Sequence, residues 1–74
     1  MSKYRKQFIV KTEEYINELY PLCSILEIRE AYNPDMLDNM NRTYAHVSMY
    51  GGGMELIILD WNDNFELVNR QIFD

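Results

Sequence analysis

The sequence predicts an α+β fold, with an N-terminal helix packed on a four-stranded antiparallel meander sheet. Three patterns lead to this prediction: apolar residues at helical spacing near the N-terminus, runs of strand length after residue 23, and two turn clusters between the last three runs. Consecutive strands joined by tight turns pair in an antiparallel manner, which gives a meander. The 74 residues are enough for a single domain, 1–74.

The first segment, Ser2–Tyr20, is predicted to form one long helix, with Ser2 as its N-cap and Pro21 as its stop. An alternative for this segment is a short strand at Gln7–Lys11, followed by a helix that Thr12 caps. The residues at helical spacing are Phe8, Thr12, Tyr15, Ile16 and Leu19.

The first strand is predicted at Ser24–Tyr32. Its apolar side carries Leu26, Ile28 and Tyr32. Its polar side carries Glu27 and Arg29. The following connection, Asn33–Arg42, is predicted as a loop with one or two helical turns, because Pro34 fits the first position of a helical turn.

The second half of the chain contains three strand patterns separated by two turns. The strands are predicted at Thr43–Tyr50, Met54–Trp61 and Phe65–Phe73. The turns are Gly51-Gly52-Gly53 and Asn62-Asp63-Asn64.

The glycine turn also predicts a register. A three-residue loop places Tyr50 opposite Met54, and eight residues then share one face of the sheet. The other cross-strand pairs on that face are Ser48–Leu56, His46–Ile58 and Tyr44–Asp60. The opposite face is more apolar and is predicted to pack on the helix; it carries Ala45, Val47, Met49, Ile57, Leu59 and Trp61. One helix covers one side of the sheet, so the mixed face is expected to be open and functional.

Charge is distributed unevenly along the chain, whose net charge is −5. The first eleven residues hold four cations and no acid, while the remaining 63 hold three cations and all twelve acids, which gives +4 and −9. An acidic body argues against direct binding to nucleic acid, which requires clustered cations. It favours a protein partner with a basic surface.

Composition also bears on location and on cofactors. No apolar run is long enough for a signal peptide or a membrane span, so we expect a cytoplasmic protein, in a host cell if the chain is viral. One cysteine and one histidine cannot provide an internal disulfide or a zinc site. A small domain without a disulfide or a metal site is often stabilised by association, which makes a homodimer an alternative.

Neither catalysis nor ligand binding has a convincing motif. Cys23 and His46 stand in no nucleophile–base pattern, so we predict no catalytic residue. Asp60, Asn62 and Asn64 match the start of a calcium loop, but the positions that need glycine and glutamate hold other residues. The glycine cluster precedes a strand, whereas a phosphate loop precedes a helix. We therefore predict no metal and no cofactor.

The best functional signal is the abundance of interface-type residues: six tyrosines, one tryptophan and five methionines. In size, acidity and aromatic content the chain resembles small phage-encoded inhibitors of host machinery, including anti-CRISPR proteins. We expect a non-enzymatic protein-binding module that inhibits or modulates a partner, such as one that handles nucleic acid. The alternative is a homodimeric structural or regulatory subunit that self-associates through the open face. The predicted contact residues are Tyr44, His46, Ser48, Tyr50, Leu56 and Asp60.

Overall fold

One helix lies against one face of a four-stranded antiparallel sheet, which confirms the predicted fold class. The structure is a computed structural model that describes residues 3–31 and 40–73. The elements are α1 (Lys3–Leu19), β1 (Ser24–Ala31), β2 (Met40–Ser48), β3 (Met54–Asn62) and β4 (Leu67–Phe73). The strands follow the order of the chain, β1-β2-β3-β4, so the sheet is a meander.

The N-terminal segment is one continuous helix, so the alternative strand at Gln7–Lys11 is wrong. The helix ends at Leu19, two residues before Pro21, whose ring and missing N–H do not fit a helix interior. The expected N-cap, Ser2, lies outside the described residues. Three side chains spaced four residues apart are buried on one face of α1: Phe8, Thr12 and Ile16.

The core lies between α1 and the face of the sheet that was predicted to pack on it. Five of the six predicted residues on that face are buried, and the sixth packs against them. Burying one such aliphatic side chain stabilises the fold by about 1.5–3 kcal/mol. The sheet residues are Ala45, Val47, Ile57, Leu59 and Trp61, with Met49 at the margin.

The predicted register between β2 and β3 is wrong by two residues. The loop spans residues 49–53, so Ser48 lies opposite Met54 and His46 opposite Leu56. The N–H of Met49 donates to the carbonyl of Gly53 at 2.9 Å, and all three glycines have positive φ, between 92° and 102°. Because the shift is even, each side chain that lies within β2 or β3 stays on its predicted face, whereas Tyr50 now lies in the loop.

A β-bulge in β1 corrects another prediction. Ile25 lies opposite Val47 and Glu27 lies opposite His46, which leaves Leu26 as the additional residue. The side chain of Leu26 is 56% exposed, so it does not share the core side with Ile28. The other residue predicted on that side, Tyr32, lies outside the described residues.

The boundaries of β2 and β4 also differ from the prediction. β2 begins at Met40, three residues inside the predicted loop, and the earlier part of that loop lies outside the described residues. β4 begins at Leu67 because Phe65 belongs to the turn, with a left-handed φ of 63°. The ring of Phe65 packs on that of Phe8, with centroids 4.8 Å apart.

A buried chain of hydrogen bonds joins the helix to the sheet. The indole N–H of Trp61 donates to Thr43 Oγ1 at 3.2 Å, and that hydroxyl lies 2.6 Å from Thr12 Oγ1. Thr12 in turn donates to the carbonyl of Phe8 at 2.7 Å. All the groups find partners if Thr43 donates to Thr12, so this polar network costs little within an apolar interface.

Candidate functional site: the open face of the sheet

The side of the sheet opposite α1 carries no helix in the described part of the chain, and we call it the open face. Its members follow from the strand register. On β1 and β2 they are Ser24, Glu27, Arg29, Met40, Arg42, Tyr44, His46 and Ser48. On β3 and β4 they are Met54, Leu56, Ile58, Asp60, Asn62, Asn69, Gln71 and Phe73.

The centre of the open face is largely apolar. Tyr44 lies opposite Ile58, and His46 lies opposite Leu56. On the other side of Leu56 lies Phe73, which is 50% exposed. Side chains directly opposite each other on antiparallel strands are in contact range, so these five form one continuous stripe across three strands.

One end of the open face holds a buried ion pair. Arg42 and Asp60 lie opposite each other, with Nε to Oδ1 at 2.6 Å and Nη2 to Oδ2 at 3.1 Å. The next strand adds Asn69, whose amide donates to Asp60 Oδ2 at 3.3 Å. The Arg42 guanidinium, with help from Asn69, lowers the pKa of Asp60 despite the opposing effect of desolvation.

The β1 edge of the face holds a second, more exposed charged group. Arg29 Nε donates to Glu27 Oε1 at 2.6 Å, and His46 Nδ1 lies 3.7 Å from Glu27 Oε2. The bond from Arg29 is the main cause of a lowered pKa for Glu27. Since these side chains are solvated, they form an adaptable polar rim, whereas the Arg42–Asp60 pair is fixed.

Five of the six predicted contact residues lie on the open face as expected: Tyr44, His46, Ser48, Leu56 and Asp60. The predicted pairing of Asp60 with Tyr44 is wrong, because Asp60 lies opposite Arg42. Its side chain is only 7% exposed, so it positions Arg42 more than it offers a contact of its own. Tyr50 lies in the loop beyond β2 and is 82% exposed, so it extends from the end of the face.

The sequence prediction missed several members of the face. Arg42 falls in a segment that the sequence predicts as a loop, so its pairing with Asp60 is not predicted. Gln71 and Phe73 alternate with the core residue Ile72, and this pattern was available in the sequence. At the start of β4, a bulge leaves Val68 unpaired and interrupts this alternation, which makes the pattern harder to detect in the sequence.

Most of the described acids lie off the open face. On the face itself, the acids Glu27 and Asp60 are matched by two arginines. The other described acids lie on the second half of α1 behind the sheet, in the turn at residues 62–66, and on β1 and β3: Glu13, Glu14, Glu18, Asp63, Glu66, Glu30 and Glu55.

The structure separates the two groups that could have formed a catalytic pair. Cys23 packs against the core on the helix side of the sheet, and His46 lies on the open face. Within residues 3–31 and 40–73, no three His, Cys, Asp or Glu side chains are grouped to hold a metal ion. In the turn, Asn62 Oδ1 accepts the backbone N–H groups of Asn64 and Glu66, at 2.8 and 3.0 Å. The residues with calcium-loop spacing thus form a hairpin turn, which Asn62 stabilises by hydrogen bonds.

No helix in the described ranges has the length and hydrophobicity needed to cross a membrane. Comparisons of the chain with protein-family models, with curated proteins and with solved structures gave no significant match.

Proposed function

We propose that this protein is a non-enzymatic binding module that inhibits or modulates another protein by occupying its surface. The observation that carries the proposal is the open face itself, a continuous stripe of five side chains with polar groups on two sides. One side is the fixed Arg42–Asp60 pair, and the other is the adaptable polar rim of the β1 edge. The stripe consists of Tyr44, Ile58, His46, Leu56 and Phe73. A buried apolar centre with a polar rim is the usual anatomy of a protein interface.

The sheet presents this stripe in a preorganised form. Tyr44, Leu56 and Ile58 lie on the two central strands, which are paired along their whole length. Residues held in paired strands lose little further backbone freedom on binding, which lowers the entropic cost of association. Tyr44 is the best candidate for an anchor, because tyrosines near the centre of an interface often dominate its binding energy.

The charge pattern supports a partner with a basic surface. The charged pairs on the open face are balanced, while the net charge of −5 belongs to the chain as a whole and attracts cationic surfaces over distance. A protein that handles nucleic acid offers such a surface, and docking there blocks its substrate. The cytoplasm, of a host cell if the chain is viral, is the location that suits this activity and the free thiol of Cys23.

Capture from a lysate of the source cell or its host, followed by photo-crosslinking, tests the proposal. The binding-face variant is Tyr44→Ala/Leu56→Ser, and the matched control is Val10→Ser, which removes a 53% exposed apolar side chain from α1. We expect the control to retain the partner and the binding-face variant to lose it.

Photo-crosslinking shows directly which side of the protein contacts the partner. A benzophenone amino acid replacing His46 on the open face should crosslink to the partner, and one replacing Asn17 on the exposed side of α1 should not. Equal crosslinking from both positions contradicts the proposal. Crosslinks only between copies of the chain favour the homodimeric subunit instead.

A further inference from the structure

The two edges of the sheet differ in how well they are protected against pairing with another strand. The β1 edge contains the bulge at Leu26 and three charged residues, Glu27, Arg29 and Glu30. Bulges and charges are common devices that prevent edge-to-edge association. The β4 edge has its bulge at Val68, and the following residues 69–73 pair regularly with β3.

Residues 69–73 of β4 also lack acidic side chains. The single cation in β4, Arg70, is held back towards the helix, because its Nη1 donates to Tyr15 Oη at 2.7 Å. Two copies of a chain with a net charge of −5 repel each other over most of their surfaces. Along residues 69–73, two copies can therefore approach without opposing acids.

We propose that two copies of this chain pair through β4, with residues 69–73 of each forming an antiparallel ladder about a two-fold axis. The axis passes through Gln71, which faces Gln71 of the second copy. A two-fold axis at Arg70 would oppose two guanidinium groups, and one at Ile72 would leave a shorter ladder. With the axis at Gln71, Arg70 faces Ile72 and Asn69 faces Phe73 across the dimer.

This dimer extends the sheet. Each pair of residues opposed across the axis is separated by an even number of positions, so their side chains point to the same face of the sheet. Both helices therefore lie on the same side of the extended sheet. The two open faces then become one surface. The core of a small domain contributes little stability, and association adds to it. The inference does not depend on the proposed binding of another protein, because it concerns the edge of the sheet and is tested on the isolated chain.

Disulfide trapping in a Cys23→Ser background tests the register. Gln71→Cys places two thiols opposite each other at the axis, within the Cα separation of about 7 Å that a disulfide tolerates. Asn69→Cys places its two thiols roughly 14 Å apart, four residues along the ladder. Under mild oxidation at micromolar concentration, we expect the Gln71→Cys chains to be disulfide-linked almost completely and the Asn69→Cys chains to remain unlinked. Equal rates for both overturn the proposal.

Sedimentation of the protein without engineered cysteines tests whether the β4 edge forms the dimer contact. Gln71→Glu sets two carboxylates against each other across the axis, and Ser24→Glu adds the same charge at the start of β1. We expect wild type and Ser24→Glu to sediment as dimers at tens of micromolar, and Gln71→Glu to dimerise at least tenfold more weakly. The open-face variant Tyr44→Ala/Leu56→Ser should remain dimeric. A monomeric wild type, or a dimer lost in the open-face variant and kept in Gln71→Glu, overturns the proposal.

Discussion

Arg42 and Asp60 lie directly opposite each other on the two central strands and form a two-point ion pair, at 2.6 and 3.1 Å. Their side chains are only 23% and 7% exposed, although they belong to the open face of the sheet. The pair therefore fixes one end of that face, and it links the stability of the fold to the shape of the proposed binding surface.

Removing the arginine should destabilise the fold strongly. Arg42→Ala leaves the Asp60 carboxylate buried, with Asn69 as its remaining side-chain donor. We expect the free energy of unfolding to fall by about 3 kcal/mol. Asp60→Asn should cost less, about 1–2 kcal/mol, because the Arg42 guanidinium that loses its partner is more exposed than the carboxylate and can be hydrated. Urea denaturation at pH 7 measures both. Arg29→Ala, in the exposed pair with Glu27, is the control and should have little effect.

The same pair predicts the pH dependence of stability. Because Arg42 and Asn69 lower the pKa of Asp60 in the folded state, the unfolded chain takes up this proton first as the pH falls. The stabilisation is thus complete above the ordinary aspartate pKa of about 4 and is lost as the pH falls through the folded-state pKa. The stability difference between wild type and Asp60→Asn should shrink from pH 7 to pH 3. A constant difference across this range contradicts the assignment.

The buried threonine pair predicts unequal effects of two similar substitutions. Thr43→Val removes the acceptor of the Trp61 indole N–H and should cost about 1–3 kcal/mol. Thr12→Val leaves that acceptor in place and should cost less. Thermal or urea unfolding of the two variants checks the order, and a larger loss for Thr12→Val contradicts the hydrogen-bond directions given above.

The left-handed backbone at Phe65 predicts a coupling with Phe8. Phe65→Gly relieves a backbone strain of about 1 kcal/mol but loses the ring packing, so we expect a net destabilisation. In a Phe8→Leu background the ring partner is already gone, and the same substitution should cost less by about 0.5–1.5 kcal/mol. A double-mutant cycle by urea denaturation measures this coupling. Additive effects indicate that the ring contact does not stabilise the turn.

The faces of the sheet could be predicted from the sequence, whereas the register could not. Alternation alone assigns Tyr44, His46 and Leu56 to one side, and an even shift in register preserves that assignment. The shift itself depends on how many residues the glycine loop uses. Three glycines in a row are compatible with several loop lengths, since each tolerates positive φ.

Local irregularities account for the remaining errors at the site. The bulge at Leu26 interrupts a regular strand pattern, and nothing in the neighbouring sequence requires it. The left-handed Phe65 packs its ring on Phe8, a contact between residues far apart in the sequence. The Arg42–Asp60 pair was missed because it needs both the correct start of β2 and the correct register. Its discovery changes the role of Asp60 from an expected contact to a residue that positions Arg42.

The most direct test of the binding face is the dissociation constant of the captured partner for the chain carrying Tyr44→Ala. If the open face makes the contact, this variant should bind at least 30-fold more weakly, about 2 kcal/mol, while Val10→Ser on the helix binds as wild type does. Equal affinity of Tyr44→Ala and wild type in isothermal titration calorimetry, or a comparable loss for Val10→Ser, contradicts the account.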